Sequence, residues 1–437
     1  MTAEIAILNK SAIALATDSA VTIGTPSGPK IYESVNKLFV LIKGRPVGVM
    51  IYDHADLLGV PWETIIKVYR MRRRTTSFEH LNQYVDDFLQ FVASTPGLLP
   101  PDLHSRYLED ACDRRLLAVL SKVNAAVERA LEHHPKLLKK ELRAIIDDTI
   151  EAERLMWSLQ ENGQWADRID QRRLHKAIAS IVPKLITGRF KQLPLLNRQE
   201  HELYELVANS FARVPYGEET PLDPRSGVVI AGFGQNDYFP QLVALDIFGF
   251  IDGQLRVSEN DRITITVENA AVIAPFAQRD MVNAFVAGIN PSIERGLRGY
   301  WSGLEKRLPA GILDLLARQM KDLDEATRSS LLGPLSSLVV LAVRELEDHL
   351  RALTEDQYKP ILDSVEFLPK DELAAMAESL VNLTSLKRRI SLDAPQTVGG
   401  PIDVAVISRG DGFVWIKRKH YFNQELNPTW ATLPSDE

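Results

Sequence analysis

Thr2 stands directly behind Met1, and Asp18 follows sixteen residues later in the turn Thr17-Asp18-Ser19. A threonine hydroxyl inside a chain is a poor nucleophile at neutral pH and needs an adjacent base. An N-terminal threonine carries its own, because an α-amine titrates at about 7.7–8.0. Loss of Met1 would therefore make Thr2 a self-activated nucleophile whose amine takes the hydroxyl proton through a water. Thr2 is small and Ala3 does not obstruct a methionine aminopeptidase. Lys37, at the head of the apolar run Lys37-Leu38-Phe39, would keep the local field positive, lower the amine pKa and favour the alkoxide. Asp18 would orient Lys37 through a charge-assisted hydrogen bond. Taken singly, these are a small second residue, an Asx-type turn and a strand-start lysine. Their order and spacing carry the reading.

The elements that must position them are short strands in pairs. EIAIL at 4–8 and AIALAT at 12–17 flank Asn9-Lys10 as a hairpin, and KLFVLIKGRPVGVMIY at 37–52 repeats the pattern around Lys43-Gly44. GVVIAGFG at 227–234 with QLVALDIFG at 241–249, and IDVAVIS at 402–408 with GFVWIKRK at 412–419, form two more pairs. ITITVENAAVIA at 263–274 reads as a further one. These runs are apolar at both alternate positions, as expected of strands covered on both faces in layered sheets. Between them, 61–94, 101–187, 195–212, 280–322 and 326–390 carry apolar residues at three- and four-residue spacing and read as helices. Pro275, Pro291, Pro309 and Pro360 are expected to break the last block. The final hairpin needs partners hundreds of residues upstream, so one mixed domain with two helical insertions fits better than separate beads.

Composition excludes several classes. The chain has 437 residues, 45% hydrophobic and 25% charged, ordinary for a globular protein. A net charge of −7 gives no electrostatic footprint for nucleic acid, and the RMRRR run at 70–74 reads as a solvated helix end. No uninterrupted apolar run approaches the length of a membrane span, and Glu4, Asn9 and Lys10 interrupt any signal-peptide core, so a cytoplasmic protein without membrane contact is expected. The single Cys112, at helical spacing among apolar residues, is expected in the core and excludes an internal disulfide. HELYE at 201–205 lacks the second histidine of a zinc helix, so neither metal nor cofactor is expected.

The order hairpin, helix pair, hairpin, helices, closing hairpin resembles the proteasome β-subunit branch of the N-terminal nucleophile hydrolases. Thr2, Asp18-Ser19 with Thr22, and Lys37-Leu38-Phe39 resemble that family's N-terminal Thr, its DSRxT-like turn and its strand-start Lys. VVIAGFG…PQLVALDIFG at 228–249 and GGPIDVAVIS at 399–408 are similar to its later hairpin and its last strand after Gly-Gly. The resemblance implies an α+β fold, a four-layer αββα sandwich of two antiparallel sheets. Its core is 1–97, 213–302 and 391–437, with helical insertions at 98–212 and 303–390. It also implies a threonine amidohydrolase or peptidase with Thr2, Asp18 and Lys37 catalytic and a peptide or small amide as substrate. Thr22, with Tyr52 or Asp53 at the family's oxyanion-hole glycine, would line the substrate site, and a homo-oligomer is expected. The chain departs from the pattern at Tyr52-Asp53, at Val398 before Gly399-Gly400, at APFAQRD (274–280) and at Ala20. Those departures keep open a second reading, an inactive scaffold of the same fold that binds a protein partner or assembles.

Overall fold

The doubly apolar runs are strands, and all but the last, GFVWIK, have both faces covered. In the computed structural model the first two are β1 (Ala3–Asn9) and β2 (Ala12–Thr17), in which every residue is buried. The structure describes residues 3–25, 28–215, 222–319, 325–390, 398–420, 422–423 and 426–427. A second hairpin, β3 (Val21–Thr25) and β4 (Gly28–Tyr32), precedes β5 (Leu38–Val40), β6 (Val47–Asp53) and the short pair β7 (Asp56–Leu57) and β8 (Val60–Pro61). Helices α1 (Trp62–Arg72) and α2 (Leu81–Ser94) follow. Next come α3 (Pro101–His133), α4 (Lys139–Ser158), α5 (Gln171–Ile178), α6 (Val182–Arg189) and α7 (Asn197–Ser210). The chain returns to strand as β9 (Ser226–Gly232), β10 (Gln241–Ile251), β11 (Gln254–Thr264) and β12 (Ala271–Ala277). Helices α8 (Asp280–Ala287), α9 (Pro291–Gln319), α10 (Glu325–Glu366) and α11 (Lys370–Ile390) lead to the closing hairpin β13 (Asp403–Ser408) and β14 (Gly412–Lys417).

The chain divides into two units. The first comprises Met1–Val35, Ile265–Val406 and Trp415–Lys419, and the second Asn36–Thr264, Ile407–Val414 and His420–Glu437. One five-stranded sheet has the order β12-β1-β2-β13-β14, with β1 antiparallel to both its neighbours and Ile5 opposite Pro275 and Ala16. The core of the first unit gathers Ile5, Ile7, Ala14, Val404 and Val406 under Leu373, Ala377 and Val381 of α11. Asn9 fixes the β1–β2 turn: its Oδ1 accepts from the amides of Ser11 (2.9 Å) and Ala12 (3.2 Å). Its Nδ2 donates to the carbonyls of Val365 and Leu368, both at 3.0 Å.

In the second unit the sheet runs β11-β10-β9-β6-β5, antiparallel throughout. Val47, Val49, Ile51, Val228, Ile230, Val243 and Leu245 pack with Trp62, Ile66, Tyr69 and Phe88 of α1 and α2. Helices α3 to α7 make a further core around Cys112, Trp157, Trp165 and Phe211, joined by Phe248 and Ile251 of β10. Inside it, the buried Asp223 carboxylate receives Arg115 through both terminal nitrogens (2.8 and 2.9 Å) and Arg256 at 2.8 Å. Trp165, Phe211, Phe248 and Tyr107 surround the Arg256 guanidinium. Burial pushes the Asp223 carboxyl up, but the Arg115 and Arg256 charges outweigh it and hold it well below the carboxylate range.

Several sequence expectations change here. Pro275 does not precede a helix; it lies in edge strand β12, where no donor is needed on the open side. Pro309 and Pro360 lie inside α9 and α10 rather than breaking them, as does Pro334. Ile263 and Ala274 do not pair, because β11 and β12 belong to different sheets. Lys30 sits in β4 opposite Ile23, in a hairpin that the apolar pattern does not indicate. Such short strands, with Gly24 and Pro29 facing one another, have no apolar alternation to betray them. The basic run is not solvated throughout: Arg70 is buried and donates twice to the Val40 carbonyl (3.1 and 2.6 Å), and Arg73 grips Asp87 (2.8 and 2.9 Å). Within α10, Ala326–Glu366 is long and apolar enough to cross a membrane by length and composition. Its most apolar window has a mean hydropathy of 1.4 and is only 11% buried.

Candidate active site

Asp18 directly follows β2 and is fully buried. One carboxylate oxygen accepts from the Ala3 amide at 3.2 Å, the other from Ala20 at 3.3 Å and Gly399 at 3.0 Å. The Asp18 amide in turn donates to the Ala3 carbonyl at 3.1 Å. Ser19 extends the contact, donating from its amide to the Gly399 carbonyl (3.1 Å) and from its hydroxyl to the Pro401 carbonyl. Gly400 has a φ of 76°, and a Cβ there would lie 2.6 Å from the Glu33 carbonyl oxygen, so only glycine lets this strand lead approach so closely. The Gly399-Gly400 pair noted in the sequence is thus the anchor of the Asp18 turn.

Thr2 lies outside the described residues, one position before the amide that Asp18 holds. Thr22 belongs to β3, where its backbone pairs with Ile31; its side chain also lies outside the described residues. Lys37 immediately precedes β5. It is 3% exposed, and its carbonyl accepts from the Ile51 amide at 2.9 Å. A lysine this buried is uncommon unless paired. Lys30 is exposed, with its ammonium 5.1 Å from the Tyr32 ring centroid.

Tyr52 and Asp53 close β6 in the second unit and share one polar cluster. The Tyr52 hydroxyl donates to Asp246 Oδ1 at 3.1 Å and accepts from Asn260 at 3.3 Å. Arg225 bridges the two carboxylates, Nε to Asp53 at 2.9 Å and Nη1 to Asp246 at 3.2 Å. Burial, reinforced by Asp246, pushes the Tyr52 phenol above its ordinary value, so this group is a hydrogen-bond donor and not a phenolate base. Asp53 has a φ of 63°, which turns the chain away from the sheet. The Tyr52 ring lies over Gly227, where a Cβ would come within 2.0 Å of it. The Asp53 carboxylate is thus offset by the Arg225 guanidinium, and the Tyr52 ring is packed in the fold.

The structure thus brings together Asp18 with Ala3 and Gly399 in the first unit, and Tyr52 with Asp53 in the second. Arg225, Asp246 and Asn260 escaped sequence reading. Asp246 had a signal, a lone carboxylate inside the apolar run QLVALDIFG. Arg225 stands outside the apolar runs and offered no such signal. Among the described residues no cluster of His, Cys, Asp or Glu could hold a metal ion. No protein-family model matches this sequence, and no curated protein matches it.

Proposed function

We propose that the chain is an N-terminal threonine hydrolase acting on a peptide or small amide, built on a four-layer αββα fold. The observation that carries this reading is the buried Asp18 carboxylate holding the amide of Ala3, the residue that follows Thr2. Such a contact would fix the position of a new N-terminus at Thr2. The layering is supported by what is buried beyond the helix-covered faces. In the first sheet Ala6, Leu8, Ile13, Leu15 and Ala405 are buried outside the cluster under α11; in the second, Met50, Val229, Ala231, Leu242 and Ala244 are buried outside the cluster under α1 and α2. Two sheets, each with one helix-covered face and one further buried face, are what an αββα sandwich requires.

In this reading Met1 is removed and the Thr2 amine takes the proton of the Thr2 hydroxyl through a water. The oxygen attacks the amide carbonyl, the C–N bond breaks as the amine leaves with a proton, and water hydrolyses the resulting ester. In the resemblance that suggests this mechanism a lysine lowers the amine pKa, the part read for Lys37, and loss of one such pKa unit corresponds to about 1.4 kcal/mol. The test is intact mass and labelling. The purified protein should lack Met1 and take up one equivalent of a β-lactone, on Thr2. Lys37→Ala should abolish that labelling with the fold still melting cooperatively, while Lys30→Ala should be silent. Retained Met1 overturns the mechanism and favours the inactive scaffold, a reading consistent with the packing of Tyr52 over Gly227.

A further inference from the structure

Helices α9 and α10 pack against one another, and each carries exposed apolar residues along its length. Their register is set by Arg298 against Glu347 (3.4 Å) and Asp314 against Arg328 (2.5 Å). In that register Ile293, Tyr300 and Leu308 of α9 lie within a turn of the level of Leu353, Leu346 and Leu338 of α10, and all six are exposed. The spacing along each helix is seven and eight residues, about two turns, so each set forms one stripe parallel to the helix axis. Leu313 of α9 and Val339 and Val343 of α10 are buried, so each helix has a covered side apart from its stripe. The exposed stripes are therefore additional to the contact that holds α9 and α10 together.

We propose that this surface is a self-association face, which pairs with the same two helices of a second copy of this chain to complete a four-helix bundle. Spacing and charge select that occupant. Side chains recurring about every two turns on two adjacent helices suit other helices, whose own ridges repeat at the same interval. A two-fold axis lays α9 of each copy against α10 of the other. The arms have opposite balances: α9 carries five Lys or Arg and three Asp or Glu, α10 four and eight. The exposed Lys306 and Arg307 of one copy would face an arm bearing exposed Glu345 and Asp348. A lipid surface fits less well. The exposed ionised residues named above stand beside the stripes.

Sedimentation velocity on the full chain tests this. At micromolar concentration the protein should run at twice 49.0 kDa, and Leu338→Glu with Leu346→Glu should return it to one chain's mass with an unchanged cooperative melt. Charge reversal separates the partners. A chain with Lys306→Glu and Arg307→Glu, and another with Glu345→Lys and Asp348→Lys, should each dimerise at least tenfold more weakly; mixing the two should restore a dimer containing one of each. A wild-type chain that stays monomeric overturns the proposal, as does a dimer that neither pair of substitutions weakens. So does a monomer that floats with phosphatidylglycerol vesicles and loses that binding on Leu338→Glu and Leu346→Glu, which would make lipid the occupant.

Discussion

Asp18 directs its carboxylate at three backbone amides rather than at solvent, and that choice ties three distant segments together. Ala3 belongs to the first strand, Ala20 follows the second, and Gly399 leads into the penultimate one. In Asp18→Asn one acceptor oxygen becomes an NH2 that points at N–H groups, and a buried donor left without an acceptor costs about 1–3 kcal/mol. The variant should melt a few degrees lower by circular dichroism. Under the proposed mechanism it should also label poorly at Thr2, because the strand carrying the nucleophile has lost its tether. Thr2→Ala separates the effects: it should lose labelling at an unchanged melting temperature. An Asp18→Asn chain as stable as wild type would show that the three amides are content with water.

Elements obey the same logic over longer reach, and they were unevenly legible in the sequence. Most of the doubly apolar strands announced themselves because burial on both faces leaves no polar alternation: β1, β2, β6, β9, β10 and β13 lie where the apolar runs place them, whereas β14 lies where its run places it although none of its residues is buried. The hairpin β3–β4 did not, since its five-residue strands carry Gly, Thr, Pro and Lys. Prolines misled where tertiary context overrode their usual cost, on an open sheet edge at Pro275 and within long helices at Pro309 and Pro360. Asp18 was legible from its turn and spacing, but its partner Gly399 is 381 residues away and only folding reveals it. The ionic knot that joins α3 to β11 was equally hidden, because Arg115, Asp223 and Arg256 are unremarkable apart. Removing its anion by Asp223→Ala would leave two buried guanidiniums facing aromatic rings. Breaking a buried pair from one side costs about 3–5 kcal/mol, which a lowered urea midpoint would register. A loss below about 1 kcal/mol would mean that water enters the knot and solvates the arginines.

For the whole molecule, these buried groups make stability depend on pH at both ends of the range. Burial pushes the Cys112 thiol up to about 12, and also raises the phenols of Tyr52, Tyr69 and Tyr107. A folded pKa above the unfolded one means that folding favours the neutral form. The contribution is complete below the unfolded value, about 8.5 for a thiol and 10 for a phenol, and disappears as pH climbs toward the folded value. Asp223 acts in the opposite direction: its folded pKa is depressed, so its contribution is complete above about 3.9 and is lost as pH falls below that. Urea midpoints should therefore be level between about pH 4 and 8.5 as far as these groups are concerned, and fall on either side. Cys112 governs the first part of the alkaline fall, since the unfolded thiol ionises before any phenol does. Cys112→Ala should leave the neutral midpoint slightly lower, through the lost sulfur packing, and should flatten the slope between about pH 8.5 and 10. A slope that survives the substitution unchanged would place the alkaline sensitivity in the tyrosines, with its onset nearer pH 10 than 8.5.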